Sequence, residues 1–226
     1  MYSVIILAAG TGSRMGLGYN KMLYPLAGTP VIVRTVQRFK ADPACCQIIV
    51  VANPEELQEI SAIVGGVLLV AGGRERQDSV YQGLLAVSEE IVLVHDGARP
   101  FVSPEMIAGC LDFAAKQGAA VVGVPVKDTI KQVAKSGNVI QTLERSNLFA
   151  VQTPQAALTQ LLKQSHEAAQ KDGFLGTDEA SLIEKYTDVP VMMVPGAYTN
   201  IKLTTPEDLL LAERILEGEK DADWTL

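Results

Sequence analysis

Basic residues are in deficit in this sequence: 19 lysines and arginines stand against 26 aspartates and glutamates, a formal net charge of −7. Proteins that grip a nucleic-acid backbone carry a basic stripe, so nucleic acid is not the expected partner. Cysteine is scarce too. Cys45, Cys46 and Cys110 are odd in number and lack metal-ligand spacing, which predicts free thiols in a reducing compartment and hence a cytoplasmic protein. Long apolar runs are missing: the longest are strand-sized, well short of the ~18 residues that read as a membrane span. The chain opens at once on "SVIIL" with no basic flank, so neither a leader nor a membrane partner is expected. Histidine occurs twice, and no Ser-His-Asp set is apparent. His95 reads as a structural hydrogen-bonder and His166, inside a helical run, as a surface residue.

What the sequence does contain is a rhythm. Short Val- and Ile-rich runs recur at 3–7, 47–52, 67–71, 91–96, 119–126 and 189–194, mostly without polar alternation. Strands buried on both faces read this way. Between them, a residue able to cap precedes a proline in Thr29-Pro30, Asn53-Pro54, Ser103-Pro104, Thr153-Pro154 and Thr205-Pro206, each predicting a helix start. Gly118 falls where the helix opened at Ser103 should stop. Alternating strands and helices predict an α/β fold, a doubly wound, mostly parallel sheet, within a single domain over 1–226. One segment breaks the rhythm. Residues 128–151 hold two β-leaning pieces joined by the turn "KSGN" at 135–138, which predicts a projecting β-arm. A bare hairpin is marginally stable in water, so a symmetric partner chain is expected to cover it.

The chemistry is concentrated in "AAGTGSRMG". Gly10 and Gly12 are followed by three residues before Gly16, so the dinucleotide fingerprint fails, and no Walker string occurs anywhere. What remains is a glycine turn after the first strand, with Arg14 two positions past Gly12 and Lys21 seven beyond that. Glycines let backbone N–H groups approach an oxyanion, a guanidinium grips phosphate bidentately, and an ammonium adds a compact charge. The alternative is a surface loop whose cations face water.

The string "AAGTGSRMG...NK" resembles the signature of nucleotidyltransferases that join a sugar or polyol phosphate to a nucleoside triphosphate. With "AGGRERQDSVYQGL", "VHDGARPF", "DTIK", "ER" at 144–145, "QTPQ", "TDEASLIE" and "NIKLTTPEDL", all in order from about residue 2 to 215, the chain is similar to the 2-C-methyl-D-erythritol 4-phosphate cytidylyltransferases of the non-mevalonate isoprenoid pathway. The resemblance implies CMP transfer from CTP to that polyol phosphate, with Mg2+ or another divalent cation and a homodimer formed through the β-arm. It implies that Arg14 and Lys21 steady the triphosphate and the pentavalent phosphorus, and that the backbone of Ala8, Ala9, Gly10, Thr11 and Gly12 cradles CTP. Relatives often carry Pro-Lys-Gln where this chain has Asn20-Lys21-Met22, so the local loop conformation is expected to differ.

Cytosine recognition is implied at Gly73 and Ser79, although Asp78 or Ser79 reads equally as a helix cap. Asp96, at the end of the fourth strand, is well placed for the nucleotide or a metal ion, because ligands gather at the carboxyl ends of parallel strands. Arg99, Thr129, Arg145, Thr153 and Lys202 are implied to hold the polyol phosphate, with Arg145 and Lys202 catalytic and the arm donated by the neighbouring subunit. Thr153 also reads as a helix cap and Arg145 as an exposed charge. Two rivals stand beside this reading. One is a ribitol 5-phosphate cytidylyltransferase; the other is a catalytically inactive CTP-binding sensor.

Overall fold

The computed structural model describes residues 1–10, 15 and 18–222, of which 219–222 by backbone alone. Thr11, Gly12 and Arg14 therefore lie outside the described residues. In those described, seven strands form one sheet in the order β11-β7-β10-β6-β1-β4-β5. They are β1 (Tyr2–Leu7), β4 (Cys45–Ala52), β5 (Leu68–Ala71), β6 (Ile91–Asp96), β7 (Ala119–Pro125), β10 (Phe149–Leu158) and β11 (Val191–Pro195). Two small two-stranded pieces stand apart: β2 (Pro25–Leu26) with β3 (Thr29–Pro30), and β8 (Lys131–Val133) with β9 (Val139–Thr142). The helices are α1 (Val31–Lys40), α2 (Leu57–Ile63), α3 (Arg76–Leu85), α4 (Pro104–Gln117), α5 (Thr159–Asp172), α6 (Glu179–Tyr186) and α7 (Pro206–Ala222).

The sheet has a core on each face, which explains its unbroken apolar strands. Val4 and Ile6 of β1 pack with Val36 of α1, Ile60 of α2, Ile107 of α4 and Ala212 of α7. Ile5, pointing the other way, packs with Leu84 of α3, Leu162 of α5 and Ile183 of α6. The side-chain period of two thus feeds two helical layers. β1 is parallel to β4 on one side and to β6 on the other. From β1 the chain first winds outward through β4 and β5, then returns to the opposite side through β6. The switch point, where open α/β sheets bind ligands, falls at the carboxyl ends of β1 and β6. There Leu7 pairs with Asp96.

The cap-proline reading holds in part. Ser103 Oγ accepts from Met106 N–H at 3.4 Å, and α4 ends at Gly118 with φ +99°. Asn53 caps a 3-10 turn, and Pro30 is itself the cap of α1, which starts one residue later than expected. At Thr205-Pro206 the cap comes from Asp208, whose Oδ2 accepts from the N–H of Thr204 and Thr205 at 2.7 and 2.8 Å. Thr153-Pro154 opens no helix. It is a cis peptide in the middle of β10, which runs antiparallel between β6 and β7. The β10–β7 register shifts between Val151 and Gln155, so the proline, which cannot donate, sits at an irregularity of the ladder. The arm is therefore shorter than 128–151: its hairpin is β8–β9, and residues from Phe149 onward belong to the main sheet.

His166 also departs from expectation. It is fully buried in α5, stacked on Tyr81 of α3 with ring centroids 6.0 Å apart. Neither of its ring nitrogens has a hydrogen-bond partner among the described residues.

Candidate active site

A cleft of about 400 Å³ opens at the switch point, lined by Ala9, Gly10, Lys21, Gly73, Arg76 and Lys202, among others. Lys21 follows the glycine loop and is only 8% exposed, with Nζ donating to the Leu203 carbonyl at 2.6 Å. Asn20 fixes the turn that carries that lysine. Its Oδ1 accepts from Met22 N–H at 3.0 Å, capping the turn Lys21–Leu23. Its Nδ2 donates to Ala8 O at 3.1 Å and to Glu56 Oε2 at 2.6 Å. The side chain thereby ties the lysine's turn to the end of β1.

Asp96 is the electrostatic centre. Lys202 Nζ lies 2.8 Å from Oδ2, Arg99 Nε 3.7 Å from Oδ2, and Arg76 Nη2 3.8 Å from Oδ1. Burial pushes the Asp96 carboxyl up, but the attraction of Lys202 and Arg76, and then of Arg99, outweighs it and holds the group down at about 2. Asp96 is thus an anion at neutral pH, framed by three cations.

Behind it lies a chain of hydrogen bonds. Thr153 Oγ1 accepts from Asp96 N–H at 3.0 Å and contacts His95 Nδ1 at 3.1 Å; His95 Nε2 meets the Arg99 carbonyl at 3.0 Å. One neutral tautomer satisfies all three, with Nε2 donating to the carbonyl and the threonine hydroxyl donating to Nδ1. Burial pushes the His95 imidazole down to about 4, so it stays neutral. The expected structural role of His95 is what the geometry shows.

Ser79 and Gly73 meet at the opening of α3. Ser79 Oγ accepts from Gly73 N–H and donates to Glu75 O, both at 3.1 Å, while Asp78 Oδ2 accepts from Glu75 N–H at 3.0 Å. A Cβ on Gly73 would stand 2.3 Å from that of Asp78, so this tight turn admits no side chain. Capping is real here, and both Gly73 and Ser79 also line the cleft.

The remaining expected residues divide in two. Lys202 lines the cleft, whereas Arg99 and Thr153 stand behind Asp96, with Arg99 Nη1 donating to Asn200 O at 2.7 Å. Thr129 and Arg145 line a second pocket of about 490 Å³ at the base of the hairpin, where Arg145 Nη1 donates to Lys127 O at 2.8 Å. Sequence reasoning missed Arg76, although the signal that marked Arg14, a cation beside a glycine turn, is repeated in "GGRER".

Nearly the whole chain is similar to known proteins. The family described as 2-C-methyl-D-erythritol 4-phosphate cytidylyltransferase (IspD) matches residues 2–218. A protein of that name from Bacillus pumilus is 50% identical, over 97% of this chain and 98% of its own. Another from Shouchella clausii is 51% identical, over 97% and 98%. Among solved structures, 4-diphosphocytidyl-2C-methyl-D-erythritol synthase from Anaerococcus prevotii superposes with a TM-score of 0.87 at 32% identity, covering 96% of each chain. The 2-C-methyl-D-erythritol 4-phosphate cytidylyltransferase from Thermus thermophilus gives 0.79 at 33%, covering 95% of this chain and 98% of that one. This chain belongs to the 2-C-methyl-D-erythritol 4-phosphate cytidylyltransferase (IspD) family.

Proposed function

We propose that this protein transfers CMP from CTP to 2-C-methyl-D-erythritol 4-phosphate, giving 4-diphosphocytidyl-2-C-methyl-D-erythritol and pyrophosphate in isoprenoid precursor synthesis. The observation that carries the reading is the cationic cleft at the switch point, lined by Lys21 and by Arg76 and Lys202, the last two paired with one buried carboxylate. The acceptor's phosphate oxygen attacks the α-phosphorus of CTP in line. A phosphate monoester is largely ionised at neutral pH, so no general base is required. Neutral, enclosed His95 fits a role as a prop. What the reaction needs is two anions held together against their repulsion, with positive groups preset where charge builds on phosphorus. Lys21 and Lys202 meet that need, and Arg14 joins them in this reading.

Magnesium fits beside Asp96. Among the described residues no group of three or more His, Cys, Asp or Glu side chains could hold a metal alone. A single carboxylate next to substrate phosphates is, however, a usual donor set for magnesium, and Asp96 lines the cleft. Bound there, the ion neutralises charge on the phosphate oxygens.

The second pocket enters through a partner. Val133, Val139, Ile140, Phe149 and Val151 are 41–59% exposed on and beside the hairpin, an apolar surface that a second copy of this chain would cover. A homodimer in which the arm brings Thr129 and Arg145 to the partner's cleft accounts for both the surface and the division of the polyol set. No helix among the described residues is long and apolar enough to cross a membrane. The three free cysteines suit a cytoplasmic setting.

Phosphorus NMR of a reaction of CTP, magnesium and 2-C-methyl-D-erythritol 4-phosphate tests the function. The expected products are free pyrophosphate and a pair of coupled diphosphate resonances; a spectrum of unchanged substrates would overturn it.

A further inference from the structure

Arg76 and Glu179 form a fork-to-fork pair across two helices. Arg76 Nη1 and Nη2 meet Glu179 Oε1 and Oε2 at 2.7 and 3.0 Å. Glu179, in the first turn of α6, is 3% exposed, whereas the Arg76 side chain is 33% exposed and lines the cleft. A carboxylate withdrawn from water at this depth is costly unless its partner meets both oxygens. The fastening of α3 to the segment before α6 does not depend on it. Gln77 already ties them at both ends of its amide, donating to Phe174 O at 3.1 Å and accepting from Gly176 N–H at 2.8 Å.

What the pair does add is direction. Two of the five guanidinium N–H groups are committed to Glu179, which turns the remaining edge toward Asp96 and the cleft. Glu179 is itself anchored. The preceding Asp178 accepts from Gln155 Nε2 at 2.8 Å, and Gln155 Oε1 accepts from Ala180 N–H at 3.0 Å. Gln155 lies two residues from Thr153, which holds the Asp96 backbone. Contacts and chain connectivity thus link Asp96 to Arg76 and Glu179, then through Glu179's neighbours Asp178 and Ala180 to Gln155, and along β10 to Thr153 and back to Asp96.

We propose that Arg76 is a further substrate-binding cation of the cleft, facing the nucleotide triphosphate, and that Glu179 is a positioning residue acting through it. The proposal rests on reading the cleft as the CTP site. It is tested on the full chain with Arg76→Lys, which keeps the charge and loses the fork, with Glu179→Gln, which leaves the guanidinium charged and unclamped, and with the double variant. Steady-state pyrophosphate release gives kcat and KM for CTP, calorimetry gives CTP affinity, and thermal melts report folding.

Each single variant should lose tenfold or more in kcat/KM for CTP, and the double variant should be no worse than the poorer single. A purely structural pair would not give that pattern: its kinetic losses would follow the melting temperature. Single variants within twofold of the parent in kcat/KM and CTP affinity would overturn the proposal. Losses that multiply in the double variant would overturn the claim that Glu179 works through Arg76. If the parent itself releases no pyrophosphate, it is the functional reading that fails. The calorimetric arm then decides alone: tenfold weaker CTP binding by Arg76→Lys supports the proposal and unchanged binding refutes it. Either single variant suffices if the other does not fold.

Discussion

Lys21 concentrates the argument at the scale of single residues. It is nearly buried, held by the Leu203 carbonyl and by a turn that Asn20 caps. A cation fixed in advance costs little reorganisation when charge builds on phosphorus, and loss of such a group costs about 3 kcal/mol of barrier. Lys21→Ala should therefore lower kcat at least about a hundredfold while the fold persists. Near-normal turnover in a stopped assay would remove Lys21 from the chemistry. Lys21 and Asp96 were legible because a cation near a glycine turn and an acid at a strand end announce anion chemistry without knowledge of the fold, whereas Lys202 came from the family resemblance alone. Arg76 and Glu179 were not legible. They stand 103 positions apart, and only the packing of α3 beside the start of α6 makes them a pair. Thr153 was legible as a polar residue of interest, but its hydroxyl turns inward to Asp96 and His95, which spacing alone does not reveal.

Helices and strands were read best where their physics is local. Both-face burial shows in composition, so the six apolar runs became strands. β10 escaped because "VQTPQAAL" is poor in β-branched residues and carries a proline; pairing with β6 and β7 on either side makes it a strand, a tertiary effect that propensity does not contain. His166 escaped for a related reason. Its helix α5 lies between α3 and α6, so a ring that a surface helix would expose is enclosed.

Burial first, and then the Arg76 charge, push the His166 imidazole down to about 4, and the enclosed His95 lies equally low. Both are neutral when folded and bind a proton more readily when unfolded, at about 6.5. Stability is therefore whole above pH 6.5 and falls as pH drops from 6.5 toward 4, by up to about 3 kcal/mol for each histidine. Because the ring nitrogens of His166 satisfy no hydrogen bond among the described residues, His166→Phe should raise stability at pH 7 by about 1 kcal/mol and remove roughly half of that acid loss. Urea melts at pH 7 and pH 5 measure both effects. An unchanged acid slope would contradict the assignment.

In the whole molecule the expected site residues fall in two places. The cleft collects charge at the switch point, while Thr129 and Arg145 stay with the arm at a separate pocket. If a second copy supplies the arm, Ile140→Glu, which places a charge on the exposed hairpin, should yield monomers in sedimentation and lower kcat/KM for the polyol phosphate about tenfold or more, with CTP binding kept. A dimer of unchanged stability would send the arm to another role. The doubly wound architecture was legible in outline, since alternation of apolar runs with capped helix starts dictates it, but antiparallel β10 was not. The choice of acceptor was not legible either, because it depends on the shape of the pocket rather than on any motif.

The most direct test is therefore a comparison of acceptors: pyrophosphate release from CTP with magnesium, run in parallel with 2-C-methyl-D-erythritol 4-phosphate and ribitol 5-phosphate. Membership of the family predicts turnover with the first and little with the second. Preference for ribitol 5-phosphate, or release with neither despite CTP binding, would contradict the account.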